Sequence, residues 1–123
     1  MPQNDPSLRI LLVEDHFATR SALTIWLTDL GHEVTAVDSI SEAIRAATDL
    51  PFDVLVSDIN LPDGDGRDLV KRLRQTHQFR AIAISGLMLG PGEQESSREA
   101  GFIVHLEKPF NPMELSRALR DVA

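Results

Sequence analysis

Asp53-Val54-Leu55-Val56-Ser57-Asp58-Ile59-Asn60-Leu61-Pro62-Asp63-Gly64-Asp65-Gly66 starts as an apolar run, meets a carboxylate at Asp58, and then breaks into a loop of Pro, Asp and Gly. A near-continuous apolar run this short suits a strand covered on both faces. Three other runs have the same form: Leu8–Val13 leads into Glu14-Asp15, Ala81–Ile84 into Ser85, and Ile103–Leu106 into Glu107-Lys108. A weaker alternation over His32–Val37 adds a further strand. Helical spacing fills the intervals. Phe17 to Leu30 carries a stripe of Leu23, Trp26, Leu27 and Leu30, with Gly31 as its stop. A second helix covers Ser41–Ala47, and a third follows Gly66 with Leu69, Val70 and Leu73 inward and Lys71, Arg72 and Arg74 outward. The interval from Gly86 to Gly101 is broken by Gly90, Pro91 and Gly92, so only a short helix over Glu93–Ala100 is expected. Asn111 is the expected N-cap of the last helix, with Pro112 at its first position and Met113, Leu115 and Leu119 inward. Five alternating strand-helix units predict an α/β domain with a doubly wound, five-stranded parallel sheet.

Composition narrows the function classes. A chain of 123 residues fits one domain, and its 42% hydrophobic residues are enough for an ordinary core. Residues 1–7 read as a short disordered leader and 8–123 as the domain, with no linker or second domain expected. No cysteine is present, which excludes disulfides, thiolate metal sites and cysteine nucleophiles. Twelve basic against nineteen acidic residues give a net charge of -7, which disfavours binding to nucleic acid or an anionic membrane. No apolar stretch approaches the ~20 residues of a membrane span, and no signal pattern opens the chain. A cytoplasmic location is the expectation.

In a parallel sheet, all the strand ends meet at the carboxyl edge, where open α/β sheets place their ligands. Glu14, Asp15 and Asp58 would bring three carboxylates together there, with Ser85 and Lys108 beside them. Like charges that close either raise a pKa or bind a cation, and hard oxygen donors suit Mg²⁺. Capping of helix N-termini is the competing role for single acids, but it does not explain three acids ending two separate strands. Asp58 is the candidate nucleophile, since a carboxylate can attack a phosphoryl group when cations neutralise the charge that builds up. Lys108 supplies such a cation, and the Ser85 hydroxyl can donate to a phosphoryl oxygen.

These residues carry a resemblance. The motifs Leu11-Leu12-Val13-Glu14-Asp15, Asp53 to Gly66, Ile84-Ser85-Gly86 and Leu106-Glu107-Lys108-Pro109-Phe110 together resemble the receiver domain of two-component response regulators, from Leu8 to Val122. The resemblance implies a (βα)₅ fold of flavodoxin-like type and a phosphorylation-dependent signalling switch, either a stand-alone receiver or a piece of a larger regulator or hybrid kinase. Asp58 would accept a phosphoryl group from a partner phosphohistidine on a histidine kinase or histidine phosphotransfer protein. Asp15, Asp58 and the main-chain carbonyl of Asn60 would ligate Mg²⁺ directly, with Glu14 acting through water. Ser85 and Lys108 would hold the phosphoryl oxygens, and the Lys108–Pro109 peptide would be cis. The shape change would reach a downstream protein target through the last two helices and the fifth strand, a face that could also form a homodimer. Such a domain is not an enzyme in the usual sense, because it catalyses only its own phosphorylation and dephosphorylation.

Departures from the family pattern matter. His105 stands where these domains usually carry Tyr or Phe as a rotameric switch coupled to Ser85; it is either a titratable switch or a partly exposed strand residue. Leu87, Met88 and Leu89 could form a partner surface or a loop over the site. On the first helix, Phe17 and Ile25 fall off the inward stripe and would suit docking of a partner helix, although single exposed apolar residues are common. His16, next to Asp15, could ligate metal or serve as a base, but lining the rim of the site without doing chemistry is the expectation, and His32 and His77 are expected to face solvent. Two other classes compete. Haloacid-dehalogenase-like phosphatases need a second Asp two residues after the nucleophile, where this chain has Asn60. A degenerate, never-phosphorylated receiver would usually lack one of the acids or the lysine, all of which are present here.

Overall fold

A computed structural model describes residues 7–86 and 91–122. The first six residues of the expected leader and the segment Leu87–Leu89 lie outside the described residues.

The chain runs β1 (Arg9–Val13), α1 (Phe17–Asp29), β2 (Glu33–Val37), α2 (Ile40–Asp49), β3 (Val54–Asp58), β4 (Asn60–Leu61), β5 (Gly64–Asp65), α3 (Gly66–Leu73), β6 (Arg80–Ser85), α4 (Pro91–Ala100), β7 (Phe102–Glu107) and α5 (Pro112–Val122). Five strands form one parallel sheet in the order β2-β1-β3-β6-β7. The doubly wound sheet expected from the sequence is therefore present. The loop expected after Asp58 contains a two-stranded antiparallel hairpin, β4 with β5.

Alternation along the central strands divides the core between the two sheet faces. Leu11, Val13, Leu55, Ala81 and Ala83 pack with Ala43 and Ala47 of α2 and Leu69, Val70 and Leu73 of α3. Ile10, Leu12, Val54, Val56, Ile82 and Ile84 pack with Leu27 of α1 and Leu115, Leu119 and Val122 of α5. Each fully buried Leu, Ile or Val contributes roughly 1.5–3 kcal/mol. The helix α4 lies against α3 and β7. Met113 departs from the expected inward stripe of α5: it is 70% exposed, and Ala118 takes the inward place instead.

Local signals fix the helix ends. Gly31, at φ 98°, ends α1, with Gly31 N–H donating to Thr28 O and His32 N–H to Leu27 O. That left-handed position is why glycine stands there. Asn111 caps α5 as expected, its Oδ1 accepting from Met113 N–H at 2.8 Å. His32 and His77 do not simply face solvent. Both are half-buried: His32 Nδ1 accepts from Leu8 N–H, and His77 bonds Ala47 O through Nε2 and packs against the Phe52 ring.

Three carboxylates fasten elements away from the central charge cluster. The Arg9 side chain holds Asp53, the backbone N–H groups of Ile40 and Ser41 hold Asp63, and the Arg67 side chain holds Asp65; each carboxyl lies below the ordinary 3.8. A depressed folded pKa means that the unfolded chain binds protons first on acidification. The stabilisation is therefore complete above about pH 4 and is lost as the pH falls through the folded values. Thermal midpoints are expected to drop over this range, and the gap between the parent and Asp63→Ala is expected to close there. A gap that stays constant to the acid limit would contradict this assignment.

Candidate functional site

The parallel register aligns the strand ends. Val13 pairs with Ser57, Asp58 with Ile84, and Ser85 with Glu107, so Glu14, Asp58, Ser85 and Lys108 emerge side by side at the carboxyl edge. Glu14 and Ser85 are fully buried, and Asp58 is only 4% exposed. Lys108 Nζ donates to Asp58 Oδ2 at 2.7 Å and also contacts Glu14 Oε1. Asn60 N–H donates to the other oxygen, Asp58 Oδ1, at 3.2 Å. The Asp58 carboxylate is thereby held by a cation on one oxygen and a main-chain donor on the other.

Burial drives the Asp58 carboxyl above its ordinary value, the Lys108 hydrogen bond and charge pull it back only in part, and Glu14 pushes it up further. Burial also opposes the Lys108 ammonium, but the hydrogen bonds and charges of Asp58 and Glu14 outweigh it, so its pKa lies above normal. The pocket is short of positive charge, with two buried carboxylates sharing one lysine.

Glu14, Asp15, His16 and Asp58 each place a ligand-type atom within 4.8 Å of the others. Asp15 Oδ1 is sealed from solvent and accepts no hydrogen bond among the described residues. Hard oxygens in excess of the available cation, one of them unsatisfied, fit a small divalent ion such as Mg²⁺. His16 is exposed at the rim; its N–H donates to Glu14 Oε2 at 3.0 Å and its ring lies 3.3 Å from the same oxygen.

The model of the response regulator receiver domain family matches residues 10–120. The chain belongs to the response regulator receiver domain family. Among proteins of known role, it is 35% identical over 117 residues to the response regulator protein FleR of Pseudomonas aeruginosa, covering 93% of this chain and 23% of FleR. It is 30% identical over 118 residues to the regulatory protein VirG of Agrobacterium tumefaciens, covering 96% of this chain and 44% of VirG. The chain thus spans less than half of either relative. Among solved structures, the receiver domain of a sensor histidine kinase from Pseudomonas aeruginosa, which has a magnesium ion coordinated in its active-site cleft, is 31% identical with a TM-score of 0.83, covering 95% of this chain and 98% of that one.

Within this receiver domain, the structure brings together Glu14, Asp15, Asp58, Asn60, Ser85 and Lys108 at one edge. The Lys108–Pro109 peptide is cis. His105 lies on β7 beside Ala83, two residues short of Ser85, and is half-buried. It lines a cavity of about 200 Å³ together with Ser97 and Arg98 of α4, and its Nε2 has no partner among the described residues. Burial lowers its pKa, with Glu107 in partial opposition.

Arg20 escaped the sequence reading. Its Nη1 donates to Glu14 O at 2.9 Å and Asp15 O at 3.4 Å, clasping the loop that carries both acids, while its guanidinium lies over the Phe17 ring. An arginine one turn into a helix has no pattern that separates this task from ordinary solvation.

Proposed function

We propose that this receiver domain is a phosphorylation-dependent switch that accepts a phosphoryl group on Asp58 from a partner phosphohistidine. The observation that carries the reading is the Asp58 carboxylate, buried at the strand end and gripped by Lys108 on one oxygen and Asn60 N–H on the other. Those contacts orient one carboxylate oxygen towards an incoming phosphorus. An O–P bond forms as the donor P–N bond breaks, and the electron pair returns to the donor imidazole. Lys108 balances charge on the transferred group, and Ser85 donates to one of its oxygens.

Asp15, Asp58 and the Asn60 carbonyl would hold Mg²⁺, with Glu14 acting through water. The ion would neutralise charge on the phosphoryl group during transfer. The domain acts on itself alone, so it is a switch and not an enzyme with turnover on a separate substrate. A phosphatase of the aspartate type is disfavoured because the place of its acid is taken by Asn60, whose backbone N–H serves Asp58.

Two features support a helical, histidine-bearing partner, either a kinase or a phosphotransfer protein. Phe17 and Ile25 on α1 are 73% and 71% exposed. Beside them, an apolar groove of about 620 Å³ runs between α1 and Lys108–Pro112, lined by Leu23, Trp26 and Phe110. The downstream protein target would read α4, β7 and α5, the face that would also support a homodimer. His105 on that face would be the side chain that answers Ser85. The domain would work in the cytoplasm, by itself or as part of a longer regulator.

Beryllofluoride, a mimic of a phosphoryl group on a carboxylate, tests the reading. Calorimetry is expected to show Mg²⁺-dependent binding at one site, lost in Asp58→Asn. Binding that survives this substitution, or no binding by the parent, would overturn it.

A further inference from the structure

The hairpin between Asp58 and α3 is too short to hold itself in place. Its strands, β4 and β5, are two residues each, pairing Asn60 with Asp65 and Leu61 with Gly64. Even a longer isolated hairpin is only marginally stable in water. Yet this hairpin carries the Asn60 main chain, whose N–H holds Asp58 Oδ1. Burial of Ile59 and Leu61 in the core and the Gly66 N–H bond to Ile59 O anchor its base, and the tip and return strand have ties of their own.

Two carboxylates supply those ties. At the turn, Asp63 Oδ1 accepts from Ile40 N–H at 2.9 Å and Oδ2 from Ser41 N–H at 3.0 Å, tying the tip to the start of α2. At the return strand, Asp65 faces Asn60 and is held by Arg67. The Arg67 backbone N–H donates to Oδ1 at 2.8 Å, Nε to the same oxygen at 2.9 Å, and Nη2 to Oδ2 at 2.5 Å. This two-point grip leaves the side chains only 22% and 33% exposed, so it is stiffer than an ion pair in open solvent. Asp68 of α3 and Glu93 of the neighbouring α4 add negative charge around the Arg67 guanidinium.

We propose that Arg67 is a positioning residue for the phosphoryl and metal site, acting through Asp65 on the main chain of Asn60. The inference rests on the receiver chemistry proposed above. The path has three steps: Arg67 orients Asp65, Asp65 sets the register of Asn60, and Asn60 presents its N–H to Asp58 and its carbonyl to a bound cation. Groups that orient metal ligands influence affinity without touching the metal. The fork geometry is essential, because lysine carries the charge but cannot make the two-point contact.

Arg67→Ala and Arg67→Lys test this with three readouts: amide hydrogen exchange at Asn60, the Mg²⁺ dissociation constant by calorimetry, and the thermal midpoint in EDTA. In both variants, Asn60 exchange and the Mg²⁺ dissociation constant are expected to rise roughly tenfold. The metal-free midpoint should move by no more than about 3 °C. Arg67→Ala with Asn60 exchange and Mg²⁺ affinity within about twofold of the parent would overturn the proposal. So would Arg67→Lys behaving like the parent, since charge alone would then suffice. If Arg67→Ala unfolds, Asp65→Asn provides the same test, because its amide oxygen can still accept from the Arg67 backbone N–H while the two-point grip is lost. A parent protein that binds no Mg²⁺ would overturn the receiver chemistry instead, and Asn60 exchange would then decide the positioning role alone.

Discussion

Replacing Lys108 with alanine is expected to lower the stability of the metal-free protein at neutral pH by about 3–5 kcal/mol, the usual effect of removing one partner from a buried ion pair. Lys108 is the cation shared by Asp58 and Glu14, and both carboxylates are almost wholly out of solvent. Without it, two negative charges face each other in a pocket that burial already makes unfavourable for Asp58. The thermal midpoint should fall by roughly 10 °C or more for a chain of this size. Saturating Mg²⁺ should recover part of the loss by returning positive charge to the cluster. The same change made on an Asp58→Asn background should matter much less, and the difference between the two backgrounds measures the coupling. A Lys108→Ala midpoint in EDTA equal to that of the parent would show that the pair is not an energetic unit.

Gly66→Ala should be as damaging, for a steric reason. A methyl group at Gly66 would lie 2.3 Å from the Asp58 carbonyl oxygen and 3.1 Å from Ile59 Cα, both main-chain atoms that cannot rotate aside. The Gly66 N–H also donates to Ile59 O at 2.7 Å, so α3 begins in direct backbone contact with the end of β3. Relieving the overlap must separate α3 from the segment that presents Asp58. A destabilisation of about 3 kcal/mol or more is expected, with beryllofluoride binding weakened beyond what the midpoint shift explains. Gly92→Ala is the control, since its added carbon meets open space and helix propensity favours it. Equal midpoints for Gly66→Ala and the parent would contradict this account of the close approach.

The main elements of the site were legible because parallel strands end together. Glu14, Asp58, Ser85 and Lys108 each follow an apolar run, so reading the runs as strands placed them at one edge, and the registers of β1, β3, β6 and β7 agree. The supports of the site were not legible. Arg20, Asp63, Asp65 and Arg67 act through contacts with backbone atoms or with one another, and such pairings leave no periodicity in the chain. Leu61–Gly66 read as a loop because its composition is that of a turn; the hairpin strands it shares with Asn60 are two residues each, too short to alternate. His32 and His77 were misread because burial of a single residue beside a turn depends on what packs over it: the Leu8 main chain in one case, α2 and Phe52 in the other. Met113 was misplaced by spacing: Leu115, Ala118, Leu119 and Val122 make the buried stripe at i, i+3, i+4 and i+7, and Met113, two residues before Leu115, falls on the opposite side of α5.

Intact mass after incubation with acetyl phosphate and Mg²⁺, followed by reductive trapping and peptide mapping, addresses the central claim most directly. One phosphoryl group should be added to the parent, mapping to Asp58, and none should appear in Asp58→Asn or in EDTA. An adduct that maps to another residue, or a parent that stays unmodified while it binds Mg²⁺, would contradict the assignment of Asp58 as the acceptor.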